Sequence, residues 1–109
     1  MTAITWDDEA KCELNCSALY LAKRGGRELG ERFFNQVEAA LAAASSDPTR
    51  HRKFRRDARK VRVERFPYHV VYWHDEASTS IHIVAIAHTS REPDYWRERV
   101  LPFSSEAER

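Results

Sequence analysis

The fold of this chain is decided by residues 60–88, KVRVERFPYHVVYWHDEASTSIHIVAIAH. Polar and apolar residues alternate at the start of this stretch, which is the period of a β-strand with one face against a core. Phe66-Pro67 ends that first strand, and Asp75-Glu76-Ala77-Ser78 has the composition of a hairpin loop. The stretch therefore predicts a meander of three antiparallel strands, of which the second covers 68–73 and the third covers 80–88.

The alternation also assigns faces to the side chains of the first strand. Val61 and Val63 are expected to face the core, whereas Lys60, Arg62 and Glu64 form a charged face. The third strand differs because its middle is apolar at successive positions, which is typical of a central strand covered on both sides.

Two helices are predicted before the meander. The short β-type run 3–6 is followed by Asp7 and Asp8, either of which is a suitable N-cap. The first helix covers 8–24 and ends at Gly25-Gly26. The apolar positions of the second helix are Leu29, Phe33, Phe34, Val37, Ala40, Leu41 and Ala44. The connecting turn is so short that the two helices must form an antiparallel hairpin.

The chain ends with a third predicted helix, over Glu92–Val100, and a flexible tail over 102–109. Tyr95 and Trp96 lie on that helix. With 109 residues and a mass of 12.7 kDa, residues 1–109 form one domain. The predicted class is α+β: a short N-terminal strand and a helical hairpin packed on an antiparallel sheet, followed by a short C-terminal helix.

Composition excludes several classes of protein. The apolar share of 42% and charged share of 32% fit a globular chain and not a disordered one. No apolar run reaches the ~20 residues of a membrane span, and the N-terminus does not resemble a secretion signal, so we expect a cytoplasmic protein without a membrane partner. Cys12 and Cys16 lie four apart on one helix, where disulfide geometry is poor, and the chain offers no further ligands at metal-site spacing. We therefore predict no metal and no cofactor.

Positive charge is concentrated in one block, although the net charge is only +1. Residues 50–65 hold nine of the 18 Lys and Arg residues and only two acidic ones. Such a field attracts polyanions or an acidic partner segment. The alternative is a solvated connector that ends in a salt-bridged strand.

An ordered set of motifs resembles the RelE/ParE toxin superfamily over nearly the whole chain. The motifs are Arg32-Phe33, Val37-Glu38-Ala39-Ala40-Leu41, Val61-Arg62-Val63, Phe66-Pro67-Tyr68-His69-Val70-Val71-Tyr72, Ala85-Ile86-Ala87-His88 and Pro93-Asp94-Tyr95-Trp96. The resemblance implies the toxin of a type II toxin–antitoxin pair, neutralised by an antitoxin that wraps it with a helical or extended segment. The activity that we predict from it is metal-free cleavage of ribosome-bound mRNA, and the alternatives are inhibition of DNA gyrase without catalytic residues or antitoxin binding by an inactive relative.

The ribonuclease branch of this superfamily implies cationic residues around the scissile phosphate. Lys60 and Arg62 match two basic residues at this spacing on the first strand of the meander. His69 and Thr89 stand where the family has arginines, although Arg91 is close enough in sequence to replace the second. These two departures favour the gyrase hypothesis.

Acid–base candidates come from the same resemblance. Tyr95 matches a terminal tyrosine, and His88 matches a histidine that some branches use as general acid or base, a task that suits an imidazole near neutral pH. The proposed catalytic residues, expected to converge on one concave basic surface, are His88, Arg91, Tyr95, Lys60 and Arg62. A placement of His88 and Lys60 on opposite faces would count against the nuclease.

A wider set of residues is proposed to bind nucleic acid: Arg55, Arg56, Arg59, Arg65, His69, Arg97 and Arg99. For Arg97 and Arg99 the alternative is stabilisation of their helix against its dipole. Tyr68, Tyr72 and Trp73 are expected to pack the sheet, and His88 has the simple alternative of a polar strand end. The antitoxin is expected to lay an acidic segment across Lys60 and Arg62.

Overall fold

A computed structural model describes residues 2–55, 57–92 and 95–100. The elements in chain order are β1 Ala3–Trp6, α1 Asp8–Gly25, α2 Arg27–Ser46, β2 Lys53–Arg55, β3 Ala58–Val63, β4 Tyr68–Asp75, β5 Ser80–His88 and α3 Arg97–Val100. The predicted tail over 102–109 lies outside the described residues. None of the described helices is both long and apolar enough to cross a membrane.

The sheet has five strands in the order β1-β5-β4-β3-β2. The predicted meander is confirmed as β3, β4 and β5, and the α+β class is confirmed with it. Two edge strands extend the meander beyond the prediction, because β1 pairs in parallel with β5 and β2 pairs antiparallel with β3. Strand β2 lies inside the basic block, so part of that block is sheet and not connector.

The helical hairpin forms as predicted, with a close crossing. The Asp7 carboxylate caps α1 by accepting a hydrogen bond of 2.9 Å from the Glu9 N–H. Gly26 adopts φ of +92° between the helices, a conformation that favours glycine. A Cβ at Gly30 would lie 3.0 Å from the Ala18 carbonyl oxygen, so glycine lets the helices approach closely.

The hairpin covers one face of the sheet, which we call the helix face. Phe33 of α2 is fully buried there, and its ring packs edge-on against Phe66 and Tyr68 at centroid distances of 5.2 and 4.9 Å. Tyr72 is also buried, so the expected packing role of Tyr68 and Tyr72 is confirmed. The Tyr72 hydroxyl donates to the Pro48 carbonyl at 2.7 Å and anchors the loop after α2.

The opposite face, which we call the open face, carries a smaller cluster. Its buried residues are Ala58, Val71, Val84, Ala85, Ala87 and Trp96. Trp96 is only 2% exposed and packs against Phe54 of β2 with a centroid distance of 5.5 Å. Both faces of β5 are therefore covered in its middle, as its apolar pattern predicted.

A β-bulge in β5 controls the direction of the side chains that follow it. Val71 pairs with Ala85 whereas Tyr72 pairs with Ile83, so Val84 is an extra residue. Val84 and Ala85 both lie in the open-face cluster. Every later residue of β5 is consequently on the face opposite to the one that strict alternation assigns.

The last helix is shorter than predicted. α3 covers only Arg97–Val100, and Tyr95 and Trp96 form a turn before it, whereas Pro93 and Asp94 lie outside the described residues. The reason is that both aromatic side chains contact the body of the protein from adjacent positions. Tyr95 reaches α1, and Trp96 packs on the open face.

Candidate functional site

The open face contains a hollow where the meander meets the segment after β5. Strands β3, β4 and β5 contribute Lys60, His69 and Ala87, and the following segment contributes Arg91 and Tyr95. The hollow is open to solvent, and its cavity volume is about 100 Å³. We call it the open-face hollow; it is the place where several of the residues predicted from sequence meet.

Lys60 lines the β3 side of the hollow, and a second cation, Arg62, follows it on the same face of β3. The Lys60 ammonium lies 4.7 Å from the centre of the Phe54 ring, which is a cation–π distance. Arg62 is two residues further along β3 and lies directly opposite His69 in the β3–β4 pair. Lys60 and Arg62 are both exposed, so their charges are available to a partner.

His69 lines the hollow next to these cations, directly opposite Arg62 in the strand pair. Partial burial lowers its pKa from the ordinary value, and the positive charges of Lys60 and Arg62 lower it further. The imidazole is therefore neutral near pH 7 and is able to accept a proton or a hydrogen bond.

Tyr95 closes the hollow, but its hydroxyl is already engaged. It donates to Glu13 Oε2 at 2.8 Å, and the Arg91 guanidinium lies 3.9 Å from the centre of the Tyr95 ring. Burial raises the pKa of Tyr95, and the hydrogen bond and charge of Glu13 raise it further. The tyrosine thus stays neutral and presents its ring, with Arg91 stacked on it, to the hollow.

Glu13 and Arg99 hold the bulge of β5 in place. Strand β1 ends at Trp6, so β5 has no neighbouring strand beyond Ile83 on that side among the described residues. Glu13 Oε1 accepts from the Ile86 N–H at 3.1 Å and from Arg99 Nη1 at 2.9 Å, and Arg99 Nη1 donates to the Val84 carbonyl at 3.1 Å. The pair therefore replaces the missing strand with side-chain hydrogen bonds.

His88 is not part of the cationic group, because its imidazole lies on the helix face. It pairs directly with Tyr68, and the two rings meet edge-on at a centroid distance of 5.0 Å. Its Nδ1 lies 2.7 Å from the Ser90 hydroxyl and accepts from the Ser90 N–H at 3.0 Å. His88 is nevertheless one of the residues that line the hollow. His88 and Lys60 thus both border the hollow, but the bulge turns the His88 side chain towards the helix face, away from the face of β3 that carries Lys60.

Two of the predicted nucleic-acid contacts are largely covered and bind other groups of the protein. Arg59 is 8% exposed, and its Nη1 donates to the His51 carbonyl at 2.7 Å. The Arg99 side chain is 13% exposed and pairs with Glu13 and with Glu9. A contact from either guanidinium to phosphate would require breaking these interactions.

The other predicted contacts are spread around the molecule. Arg65 is exposed with φ of +70° in the turn after β3, beside Phe66 and the surface of α2. Arg97 is exposed on α3. Arg55 belongs to β2, whereas Arg56 lies outside the described residues.

Sequence reasoning missed Glu13 and Phe54. Glu13 lies one residue before Leu14 in the apolar stripe of α1, and a carboxylate beside the buried side of a helix is a signal that a buried partner exists. Phe54 is an isolated aromatic residue in the basic block, and nothing near it in the sequence indicates its contact with Trp96. Among the described residues, no group of three or more His, Cys, Asp or Glu is placed to hold a metal ion.

Comparison with known proteins agrees with this architecture. The structure is similar to that of the chromosomal ParDE toxin–antitoxin system from P. aeruginosa, with a TM-score of 0.70 and 15% identity, covering 83% of this chain and 98% of that chain. It is also similar to the isolated E. coli RelE toxin, with a TM-score of 0.58 and 15% identity, covering 90% of this chain and 95% of that one. No curated protein matches the sequence.

A family model described as the ParE toxin of the type II toxin–antitoxin system parDE matches residues 4–93. The match includes both helices of the hairpin, nearly the whole sheet and the residue Arg91 of the hollow. The resemblance inferred from the ordered motifs is thereby confirmed. This chain belongs to the ParE toxin family of type II toxin–antitoxin systems.

Proposed function

We propose that this toxin acts by binding, as a ParE-type inhibitor of DNA gyrase without catalytic residues of its own, and that a cognate antitoxin neutralises it. The observation that carries the proposal is the contact of the His88 ring with Tyr68 of the helix face, beyond the β5 bulge, whereas Lys60 and Arg62 extend from the open face of β3. The membership in the ParE family supports the same conclusion.

The hydroxyl of Tyr95, one of the acid–base candidates of the ribonuclease hypothesis, is also engaged within the protein. RNA cleavage needs one group to remove the 2′-hydroxyl proton and another to protonate the leaving oxygen. The Tyr95 hydroxyl donates a hydrogen bond to Glu13 at 2.8 Å, and burial raises its pKa. What the hollow does present is exposed charge beside aromatic rings, a composition suited to a protein contact.

The antitoxin is proposed to cover Lys60 and Arg62 with an acidic segment. Both side chains are exposed on the same face of β3. Exposed charges are screened by salt over about 8–10 Å. Binding of the antitoxin should therefore weaken as ionic strength rises, and inhibition should be competitive if the target uses the same cations.

A supercoiling assay tests the main proposal. Purified toxin should block supercoiling by gyrase, and the Lys60→Ala/Arg62→Ala double variant should need about tenfold more protein for the same block, since loss of rim charges slows association. Arg97→Ala is the matched control, because Arg97 is an exposed cation of α3 outside the hollow. Full supercoiling at every toxin concentration would contradict gyrase as the target.

A ribonuclease acting on ribosome-bound mRNA is the second candidate, and the environment of His69 favours it. An imidazole with a lowered pKa beside Lys60 and Arg62 has the requirements of a general base next to a phosphate site. If the toxin is a ribonuclease, the message should be cleaved in a cell-free translation reaction. His69→Ala should lower the cleavage rate by about 10²–10⁴-fold. His88→Ala is the matched control and should cleave normally, because its imidazole faces the helices.

The two assays together separate all three activities. Blocked supercoiling with an intact message supports the inhibitor, and cleavage that depends on His69 supports the nuclease. Neither effect, with antitoxin binding retained, identifies an inactive relative that keeps only the interaction with its antitoxin.

A further inference from the structure

The solvent side of α1 carries a stripe of residues at the spacing that paired helices use. Glu9, Cys12, Cys16, Leu19 and Lys23 follow one another at intervals of three and four residues, and all of them are exposed. Spacing of this kind places side chains in one seam along a helix. The middle of the seam is apolar, since it contains both free cysteines and Leu19, which is 57% exposed.

The ends of the same stripe carry opposite charges. The first turn of α1 contains Asp8 and Glu9, and the last turn contains Lys23 and Arg24. Glu9 also pairs with Arg99 at 2.8 Å, yet its side chain remains 72% exposed and accessible to a second cation. A parallel helix of the same sequence would bring like charges together, whereas an antiparallel one would bring opposite charges together.

The sequence of α1 is self-complementary in this antiparallel sense about Cys16. With Cys16 opposite Cys16 of a second copy, Glu9 lies opposite Lys23 and Cys12 lies opposite Tyr20. Tyr20 is 52% exposed, and the Arg24 guanidinium lies 5.0 Å from the centre of its ring. A twofold dimer requires a surface that is complementary to itself after a rotation of 180°.

We propose that the free protein forms a twofold homodimer through an antiparallel contact between two α1 helices, with Cys16 at the axis. The occupant of the seam is a second copy of this chain because its charges match those of α1 itself. The contact involves one helix of 18 residues from each copy, so it is small, and the dissociation constant is expected on the order of 10–100 µM. The proposal is independent of the target of the toxin, because α1 contributes no residue to the lining of the open-face hollow.

Disulfide formation at the axis tests the register. Diamide oxidises two thiols to a disulfide by taking up their two electrons and two protons. In Cys12→Ser the remaining Cys16 should cross-link rapidly to its counterpart. In Cys16→Ser the remaining Cys12 thiols are separated by about eight residues of helix, roughly 12 Å, so cross-linking should be at least about tenfold slower. Equal rates in the two variants would overturn the proposed register.

Charge reversal tests whether the partner is a second copy of this chain, with sedimentation equilibrium as the measurement. Lys23→Glu should weaken the dimer about tenfold, because the new carboxylate then repels Glu9 of the other copy across the contact. An equimolar mixture with Glu9→Lys should restore it, since both charge pairs are again opposite in the heterodimer. Lys11→Glu is the matched control, an exposed lysine of α1 outside the stripe.

Thermal unfolding of each variant confirms that it is folded before it is compared. A wild-type protein that stays monomeric at several hundred micromolar would overturn the proposal, and binding of an antitoxin helix at this stripe would then be the alternative to examine. This outcome leaves the gyrase assay unaffected, because that assay depends on the open-face hollow.

Discussion

The two faces of the sheet share their strands but differ in what covers them. On the helix face, two long helices bury a continuous apolar cluster that includes Phe33, Val70 and Tyr72. On the open face, Trp96 and the edge aromatic Phe54 cover a smaller cluster, and exposed cations stand beside it. Stability therefore comes mainly from the helix face, whereas the open face keeps its positive charges available for a partner.

The largest expected effect on stability comes from Glu13 of α1, which contacts both Ile86 of β5 and Tyr95 of the segment after it. Glu13→Gln should lower the free energy of unfolding by about 2–4 kcal/mol, because the largely buried Arg99 loses its more buried carboxylate partner. The same change should lower the raised pKa of Tyr95, part of which comes from Glu13. Urea unfolding and ultraviolet titration of tyrosine measure the two effects.

Glu9→Gln is the control for this variant, because Glu9 contacts the same arginine from a 72% exposed position. We expect a change below about 0.5 kcal/mol there. Equal effects in the two variants would show that the greater burial of Glu13 does not strengthen its ion pair with Arg99.

Two neighbouring residues of β4 allow a direct comparison of the helix face with the open face. Val70 and Val71 are 0% and 1% exposed, and they point to the helix face and the open face respectively. Val70→Ala should lower the free energy of unfolding by about 2–3 kcal/mol and Val71→Ala by about 1 kcal/mol, because Val70 belongs to the larger of the two buried clusters. Chemical denaturation of both variants gives the values, and the reverse order would contradict the comparison.

Tyr72 tests the anchor of the loop after α2. Tyr72→Phe should cost about 1–2 kcal/mol, since the Pro48 carbonyl loses its donor. Burial raises the pKa of Tyr72 from 10.0 to about 12. Its contribution to stability is therefore complete below pH 10 and is lost as pH rises through about 12. Alkaline unfolding of the wild type should show this loss, and the phenylalanine variant should lack this part of it.

The smallest effect on stability is expected at the exposed cations of the open face. Lys60→Ala and Arg62→Ala should change the free energy of unfolding by less than about 0.5 kcal/mol. Each should nevertheless raise the pKa of His69, because burial and these two charges lower it in the wild type. NMR titration of the imidazole measures the shift, and an unchanged pKa would mean that the cations lie farther from His69 than the structure places them.

The lowered pKa of His69 has a consequence for stability at acid pH. A group whose pKa is depressed in the folded state binds protons more readily when unfolded. The folded state should therefore lose stability as pH falls below the ordinary value of 6.5 towards the lowered pKa. In the Lys60→Ala/Arg62→Ala double variant this loss should be smaller.

Local patterns in the sequence were sufficient for the helical hairpin and the meander. The apolar stripe of α2, the Gly25-Gly26 stop and the alternation around Val63 each depend on neighbours only a few residues away. The edge strands were harder to predict. β2 has only three residues, and β1 pairs with a strand almost eighty positions later, so neither has a local signal for its place in the sheet.

The candidate site was likewise predictable from the sequence only in part. The period of β3 alone predicted that Lys60 and Arg62 share one face, and the ordered motifs alone identified the toxin family. Which face His88 occupies was decided by the tertiary structure, through the extra residue Val84 in β5. The physical reason is that side-chain direction in a strand follows a local period of two, whereas a bulge is stabilised by distant groups. Here those groups are Glu13 and Arg99, which meet the backbone of β5 only when the chain has folded.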